Sequence, residues 1–506
     1  MHALRFSPLG FGIRTARQLS LAIAALLATS AISAYAQTDT GSIVGIVQDR
    51  SDARIAGAAV DVTNTATGVT RSYITNADGQ YLAEQLIPGV YSVTVRHSGF
   101  GTVVRQNITV NVQDRVQADF VLSVSSVEQQ VVVNEAAVEL QTQSAEVNGV
   151  MTSAAINDLP LNGRDYDTLV LTQPGVFRDN AVANPAEGRF SANGNLELQN
   201  YFQLDGIDNN SKSENLQEQS TQSVIPPPDA LQEFVLQTRT YSAEFGTSAG
   251  AVVNVSTKSG TNQFHGDGWD YIQNGALNAN AWFNNYNGVP RGQYNQNQFG
   301  GTFGGPIKRD KTFFFVSYEN LLSNIQVTEE SIVPTQAMHN GDFSAATNGS
   351  YMSKFNMIPT VPSQAGCITN NVISPGCFDP AGKALMALYP LPNLGNVNQF
   401  TGGPNYAYVG SETNNTRTLD VRIDHTLNKT NQIFARYAFD WSDYQQPPTW
   451  TSNPIAGNGA NFPTAYILHD QSVALGWTRT INANIVNTAH VGYLRTFSHS
   501  DPVNVT

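Results

Sequence analysis

Charge is scarce in this chain: Asp, Glu, Lys and Arg together make up 13% of its 506 residues, about half the share usual in globular proteins. Polarity comes instead from Asn, Gln, Ser, Thr and Gly. The 27 basic residues are outnumbered by 40 acidic ones, the net charge is −13, and the basic residues are nowhere clustered. A phosphate-binding surface needs such a cluster, which sets nucleic acid aside as a partner. There are two cysteines, Cys367 and Cys377, in GCITNNVISPGC. No further metal ligands surround them, and two thiols in a Pro/Gly/Asn loop of an exported protein favour one disulfide. Catalytic signatures are missing as well. There is no H-x-x-E, H-E-x-x-H or P-loop, and the eight histidines are scattered singly, so neither an enzyme nor a cofactor or metal site is expected.

Long hydrophobic runs are also lacking. LSLAIAALLA, from Leu19 to Ala28, is about half the roughly 20 residues that a spanning helix needs. Arg5, Arg14 and Arg17 precede it, and Ala34-Tyr35-Ala36 before Gln37 is an A-x-A-type cleavage site. Residues 1–36 therefore read as a secretory signal peptide cleaved between Ala36 and Gln37. An N-terminal anchor is the alternative, disfavoured by length. No later segment approaches a spanning helix, so any insertion of the rest would be as a barrel of strands.

What remains is rich in short β patterns. Between residues 38 and 124, GSIVGIVQD, AGAAVDVTN, VTRSYITN, GVYSVTVRH and ITVNVQDRVQADFVL alternate apolar and polar residues, with Asp78-Gly79 and Pro88-Gly89 as turns. Such spacing predicts a small β-sandwich. DGQYLAEQLIPGVYSVTVRHSGF, Asp78 to Phe100, resembles the carboxypeptidase regulatory-like module, a transthyretin-like (prealbumin-like) sandwich grouped with carbohydrate-binding-like folds. The zinc spacing of a peptidase is absent, so the module is expected to be an accessory domain.

VRIDHTLNKTNQIFARYAFDW, Val421 to Trp441, is the clearest pattern of the second half. Leu419, Val421 and Ile423 alternate with Asp420, Arg422 and Asp424; after a polar break, Ile433, Ala435, Tyr437, Phe439 and Trp441 alternate with Gln432, Arg436 and Asp440. Two strands and a tight turn make a hairpin with one apolar and one charged face. A soluble sheet over a core would satisfy this, and so would a membrane barrel with lipid on the apolar side. FGGTFGGPIKRDKTFFFVSYE, Phe299 to Glu319, repeats the design, and long Gly/Asn/Pro-rich insertions, notably from about Ser331 to Asn415, separate some hairpins. Short turns alternating with long loops favour the barrel, with Tyr437, Trp441 and Trp477 suited to its interfacial girdles.

Between 127 and 257, LPLNGRDYDTLVLTQPGV, NYFQLDGIDNN and EFGTSAGAVVNVSTKSGTNQFHG resemble the plug domain of TonB-dependent outer-membrane receptors, in particular the Oar-like group, where a regulatory-like sandwich precedes the plug. The Asp205–Asn210 stretch lacks EF-hand spacing and reads as a turn. The resemblance implies a mainly β chain: a sandwich at 38–124, a mixed α/β plug at 127–257, and at 259–506 the first part of a transmembrane antiparallel β-barrel. It also implies a receptor in the outer membrane of a Gram-negative bacterium that imports an external ligand, with TonB and its inner-membrane energising complex, and outer-membrane lipid, as partners. Oligosaccharide, peptide and siderophore stay open as the ligand. The implied TonB-pairing segment is EQQVVVN, with Glu128, Val131, Val132 and Val133 as candidates, or else those valines form the sandwich's last strand. Roughly eight strands are expected after Ser259, against about 22 in plugged transporters, and no terminal aromatic closes the chain, so a fragment of a longer protein is expected. A secreted or surface carbohydrate-binding or adhesive protein is the alternative.

Overall fold

The computed structural model describes residues 40–124, 130–134, 147–159, 161–178, 190–196, 199–211, 222–239, 241, 245, 249–344, 366–394, 404–447, 464–482 and 485–502. The signal-peptide residues, Ala36 and Gln37 among them, and Glu128 lie outside these.

The N-terminal sandwich is built from β1 (Gly41–Asp49), β2 (Ala59–Asn64), β3 (Thr70–Ile74), β4 (Gln80–Leu86), β5 (Gly89–Arg96), β6 (Thr102–Val110), β7 (Arg115–Gln117), β8 (Phe120–Leu122) and β9 (Gln130–Asn134). One sheet runs β4-β1-β7, with β8 also on β1, and the other runs β3-β2-β5-β6-β9. Alternation puts Ile43, Val47, Val60, Val62, Val93 and Val95 in the space between the sheets, all fully or almost fully buried. β9 pairs in parallel with β6. The sheet thus runs past the expected sandwich boundary at 124 and takes in Val131–Val133.

The central body has β10 (Val147–Thr152), β11 (Val176–Arg178), β12 (Phe190–Ala192), β13 (Tyr201–Leu204), β14 (Ile207–Asp208), β15 (Leu231–Arg239) and β16 (Val252–Thr257). Its main sheet has the order β10-β15-β16-β13-β14, mixed because β13 and β16 are parallel. A short helix, Ser153–Asp158, capped by Thr152, packs Ile156 into a core with Tyr166, Phe202, Leu204, Phe234 and Val255.

Seven long strands follow in one antiparallel sheet taken in chain order: β17 (His265–Asn274), β18 (Tyr294–Lys308), β19 (Thr312–Ser331), β22 (Tyr406–Asn428), β23 (Asn431–Gln445), β24 (Thr464–Asn482) and β25 (Ile485–Pro502), with a small hairpin, β20 (Ile368–Thr369) and β21 (Val372–Ile373), between β19 and β22. β17 and β25 are edges, so the sheet is an open part of a barrel. All the short connections, 309–311, 429–430 and 483–484, lie at one end; the long ones, 275–293, 332–405 and 446–463, lie at the other. Tyr406–Asn415, expected within a long loop, instead extends β22, with Ser331 opposite Tyr406 and Leu322 opposite Asn415. Polar Asn and Thr residues continue a strand when their neighbour supplies the ladder.

The sandwich docks at the short-turn end. Asn262 donates from Nδ2 to Thr67 O at 2.5 Å and from its backbone N to Ala66 O at 3.1 Å, and Arg71 Nη2 donates to Thr480 Oγ1 at 3.2 Å. The central body lies on the face of the seven-stranded sheet that carries Arg422 and Arg436.

Candidate functional site

The two faces of the long sheet follow from its register. Phe303, Val316, Val421, Tyr437, Val473 and Tyr493 lie opposite one another across successive strands, and the next row toward the short turns is Phe314, Ile423, Ala435, Leu475 and Val491. These rows face outward, with Val491 65% and Leu475 48% exposed. The outward belt runs from Thr312 to Asn320 along β19, which matches the 9–11 residues with which a tilted strand crosses a bilayer. Trp477 stands in its turn-side row and Trp441 in its loop-side row. Each indole N–H points away from the belt to a polar group: Trp477 Nε1 to Asn431 Oδ1 and Trp441 Nε1 to Asp443 Oδ1, both at 3.3 Å. That is interfacial placement, apolar ring inward and polar tip wet. Tyr437, expected with them, stands instead mid-belt between Val421 and Val473. Sequence distance from a strand's end does not give depth when strands run well beyond the belt.

Inward, the polarity reverses. Asp420, Arg422, Asp424 and Arg436 are all buried. Arg422 and Arg436 lie directly opposite each other on β22 and β23, where like charges repel. One carboxylate from the central body resolves this. Asp205 Oδ1 is 2.8 Å from Arg422 Nη1, and its Oδ2 is 2.9 Å from Arg436 Nε. Asp205 also accepts from Thr257 N at 2.9 Å and Thr257 Oγ1 at 2.8 Å. Arg422 Nε reaches Asp424 Oδ2 at 3.1 Å, and Arg436 Nη2 donates to Ser472 Oγ at 2.9 Å. Asp205 and Gly206, with φ of 49° and 74°, form the two-residue turn between β13 and β14, a geometry for which Asp-Gly is suited. The turn expected from DGIDNN is therefore present, and it carries the ion-pair hub as well. The missed signal lay in the partners: buried arginines on a barrel's inner face need a carboxylate from whatever fills it.

A second contact uses Arg164 of the LPLNGRDYD stretch. It pairs with Asp229 and, through Nε at 3.1 Å, with Glu319 of β19, and its guanidinium lies over Tyr271 at 4.5 Å and Trp269 at 5.1 Å. Glu319 accepts in addition from Trp269 Nε1 at 2.9 Å and Gln298 Nε2 at 2.8 Å. Beside Arg164, burial and then the Asp167 carboxylate push the Asp165 carboxyl well above the usual range. At β25, Gly492 leaves room for Ile207: an added Cβ would sit 2.4 Å from Ile207 Cγ2. The central body is thus held to the sheet by directional contacts at several points.

The sandwich meets the central body through Glu233, which accepts from Val112 N–H. Burial pushes the Glu233 carboxyl up to about 8; the Val112 hydrogen bond opposes this and the Asp114 carboxylate adds to it. The docked state therefore keeps a proton that a free carboxyl loses near its ordinary 4.5. Its contribution is full below that value and is lost as pH rises toward about 8. Docking of the sandwich is expected to weaken over this interval, and Glu233→Gln to remove the dependence, read by hydrogen exchange at Val112 against pH.

Of the other residues singled out in the sequence, Cys367 and Cys377 are disulfide-bonded with Cα atoms 5.7 Å apart, in the long connection between β19 and β22. Val131, Val132 and Val133 are in β9, at the sandwich's edge. No helix among the described residues is long and apolar enough to cross a membrane, which says nothing of strands, and no group of three or more His, Cys, Asp or Glu among them could hold a metal ion.

Comparison with known proteins adds three findings. Residues 256–506 match the family described as outer membrane beta barrel domain, and residues 42–123 match the carboxypeptidase regulatory-like domain. The chain is 26% identical over 332 residues to the TonB-dependent transporter Oar of Myxococcus xanthus, a match covering 62% of this chain and 30% of the relative's length. Among solved structures, the outer membrane transporter YddB from Escherichia coli aligns with a TM-score of 0.45 at 12% identity, covering 70% of this chain and 40% of that one. A ferric enterobactin receptor from Pseudomonas aeruginosa aligns with a TM-score of 0.41 at 14% identity, covering 69% and 41%.

Proposed function

We propose, from the premise that the chain is a homologue of the TonB-dependent transporters with a carboxypeptidase regulatory-like domain and an outer membrane beta barrel domain, that it is a receptor importing an external ligand through a plugged barrel. One observation carries the reading: the long sheet buries its charges on the side that meets the central body and presents continuous apolar rows on the other. In water that arrangement would be inside out; in a bilayer it is the stable one. On this reading the central body, the part of the expected 127–257 segment from Val147 to Thr257, is the plug, and 259–506 is the first part of the barrel. The short turns are periplasmic, the long loops external, and the loops capture the ligand.

The plug must move for anything to pass. Asp205 and Arg164 are then the contacts to be broken, and neither can be broken dry, because each leaves buried charge unpaired. Water entering behind a displaced plug would solvate those charges as they part. The work comes from TonB and its inner-membrane energising complex, which pairs by strand addition with the segment from Glu128 to Asn134. Support for that segment is its valine run and its place between sandwich and plug. Deleting Val131–Val133 in the complete polypeptide is expected to abolish uptake and cross-linking to TonB, while outer-membrane fractionation and heat-modifiable mobility persist. Normal uptake would remove the assignment.

A further inference from the structure

The long connection 275–293 joins β17 to β18. From Gly275 to Pro290 it holds five asparagines and no Asp, Glu, Lys, Arg or His. Within it a short helix, Trp282–Asn287, ends at Gly288, whose φ of 71° is the left-handed cap that glycine takes without strain. Asn284 ties this helix to the barrel wall: its Nδ2 donates to Thr328 Oγ1 of β19 at 3.3 Å and to Asn280 Oδ1 at 3.2 Å. Asn280 in turn donates to Asn285 Oδ1 at 2.9 Å and to Val289 O at 3.0 Å. At about 100° per residue, Trp282 and Tyr286, two positions to either side of Asn284, fall on the helix face opposite that anchor. Their rings stack with centroids 5.4 Å apart and planes 10° from parallel, and Phe283 meets Trp282 edge-on at 4.9 Å. Trp282 is 68% and Tyr286 63% exposed.

Three packed rings held in water mark a surface that something covers. Hydrocarbon does not reach them. Thr328 shares the outward side of β19 with Val316 and Asn320, but it lies eight residues beyond Asn320, where the belt ends. That is about 26 Å along the strand and, at a barrel strand's tilt, about 20 Å along the membrane normal. The anchor also places the helix on the barrel's flank, away from the lumen and the path of an imported ligand. On the external side, what stands beside a barrel at that height is the saccharide layer of the surrounding glycolipid. We propose that the Trp282–Tyr286 face binds a neutral hexose chain of the outer-leaflet glycolipid. A pyranose presents a face of C–H groups, whose slight positive charge suits the negative face of an aromatic ring, and a rim of hydroxyls. The indole N–H of Trp282, the hydroxyl of Tyr286 and the exposed amide of Asn285 supply hydrogen-bonding groups for that rim. A surface without charge suits an uncharged sugar, not a phosphate or an acidic one. The proposal goes beyond the transport reading and rests on it only for the external placement of the long connections.

The test reconstitutes the complete polypeptide in phosphatidylethanolamine and phosphatidylglycerol vesicles doped with one of two lipopolysaccharides, one whose core carries neutral hexoses and one truncated before them. Hydrogen exchange is followed across residues 281–289. The hexose-bearing lipid is expected to slow exchange there by about fivefold or more relative to the truncated one. The double variant W282A/Y286A is expected to insert normally, by heat-modifiable mobility, and to show no difference between the two lipids. Equal exchange of the parent in both lipids would overturn the proposal. So would protection that grows with protein density whichever lipid is present, the mark of a second copy, and protection by free maltohexaose but not by the glycolipid, the mark of a dissolved chain. Failure of the parent to insert at all would remove the barrel reading itself, and the height counted from it.

Discussion

Replacing Asp205 by Ala is expected to undock the central body from the long sheet, at a cost of about 3–5 kcal/mol. The size follows from what is left behind. The side chains of Arg436 and Arg422 are 0% and 3% exposed, and they face each other across β22 and β23. Without Asp205, two like charges remain side by side in a dry seam. Asp424 still serves Arg422, but the Asp420 carboxylate is 3.9 Å from Arg436 Nη1, beyond hydrogen-bond reach. Thr257 also loses the acceptor for its N–H and hydroxyl. The measurement is hydrogen exchange at β13 and β16 in the detergent-solubilised complete polypeptide, where amides protected in the parent should exchange at least a hundredfold faster. Asp205→Asn keeps an acceptor for Thr257 and should lie between the two. If Asp205→Ala leaves these amides protected, the hub is not what holds the central body. The barrel strands, paired to one another, should be unaffected in either variant.

How much of this was legible in the sequence depends on whether a residue's partner is local. The faces of β22 and β23 could be read directly, since period-two alternation fixes which side chains share a side, and Asp420, Arg422 and Arg436 lie together as the alternation says. The sandwich's core could be read for the same reason. What the charged face meets could not. Alternation separates charge from hydrocarbon, but the medium opposite is set by Asp205, more than two hundred residues away along the chain. The same limit applies to Arg164 and Glu319, and to the edge that receives β9. Valines 131–133 announce a strand, yet only the fold decides that β6, not β10, is the neighbour. Depth in the belt was misjudged for Tyr437 because β19 and β22 run past the apolar rows into polar ones.

The outward face gives the second large effect. Val421 stands in the middle of the belt, flanked by Val316 and Tyr437, with Ile423 and Leu419 two positions to either side. An arginine there would have to hold its guanidinium in hydrocarbon, at about 2–4 kcal/mol for mid-depth on a barrel's lipid face. Asn415 points to the same side but lies in the row with Asn297, Leu322 and Asp443, above the belt, where the cost is about 0–1 kcal/mol. Reversible folding of the complete polypeptide into lipid vesicles, followed by heat-modifiable mobility, should therefore separate Val421→Arg from Asn415→Arg by at least about 2 kcal/mol. A soluble sheet gives another order. Val421 is only partly exposed and Asn415 likewise, and in water an arginine at either site keeps its charge hydrated and its stem against the neighbours, so the two variants would differ little. The comparison depends on lipid and on depth together, and equal stabilities would show that water, not hydrocarbon, meets this face.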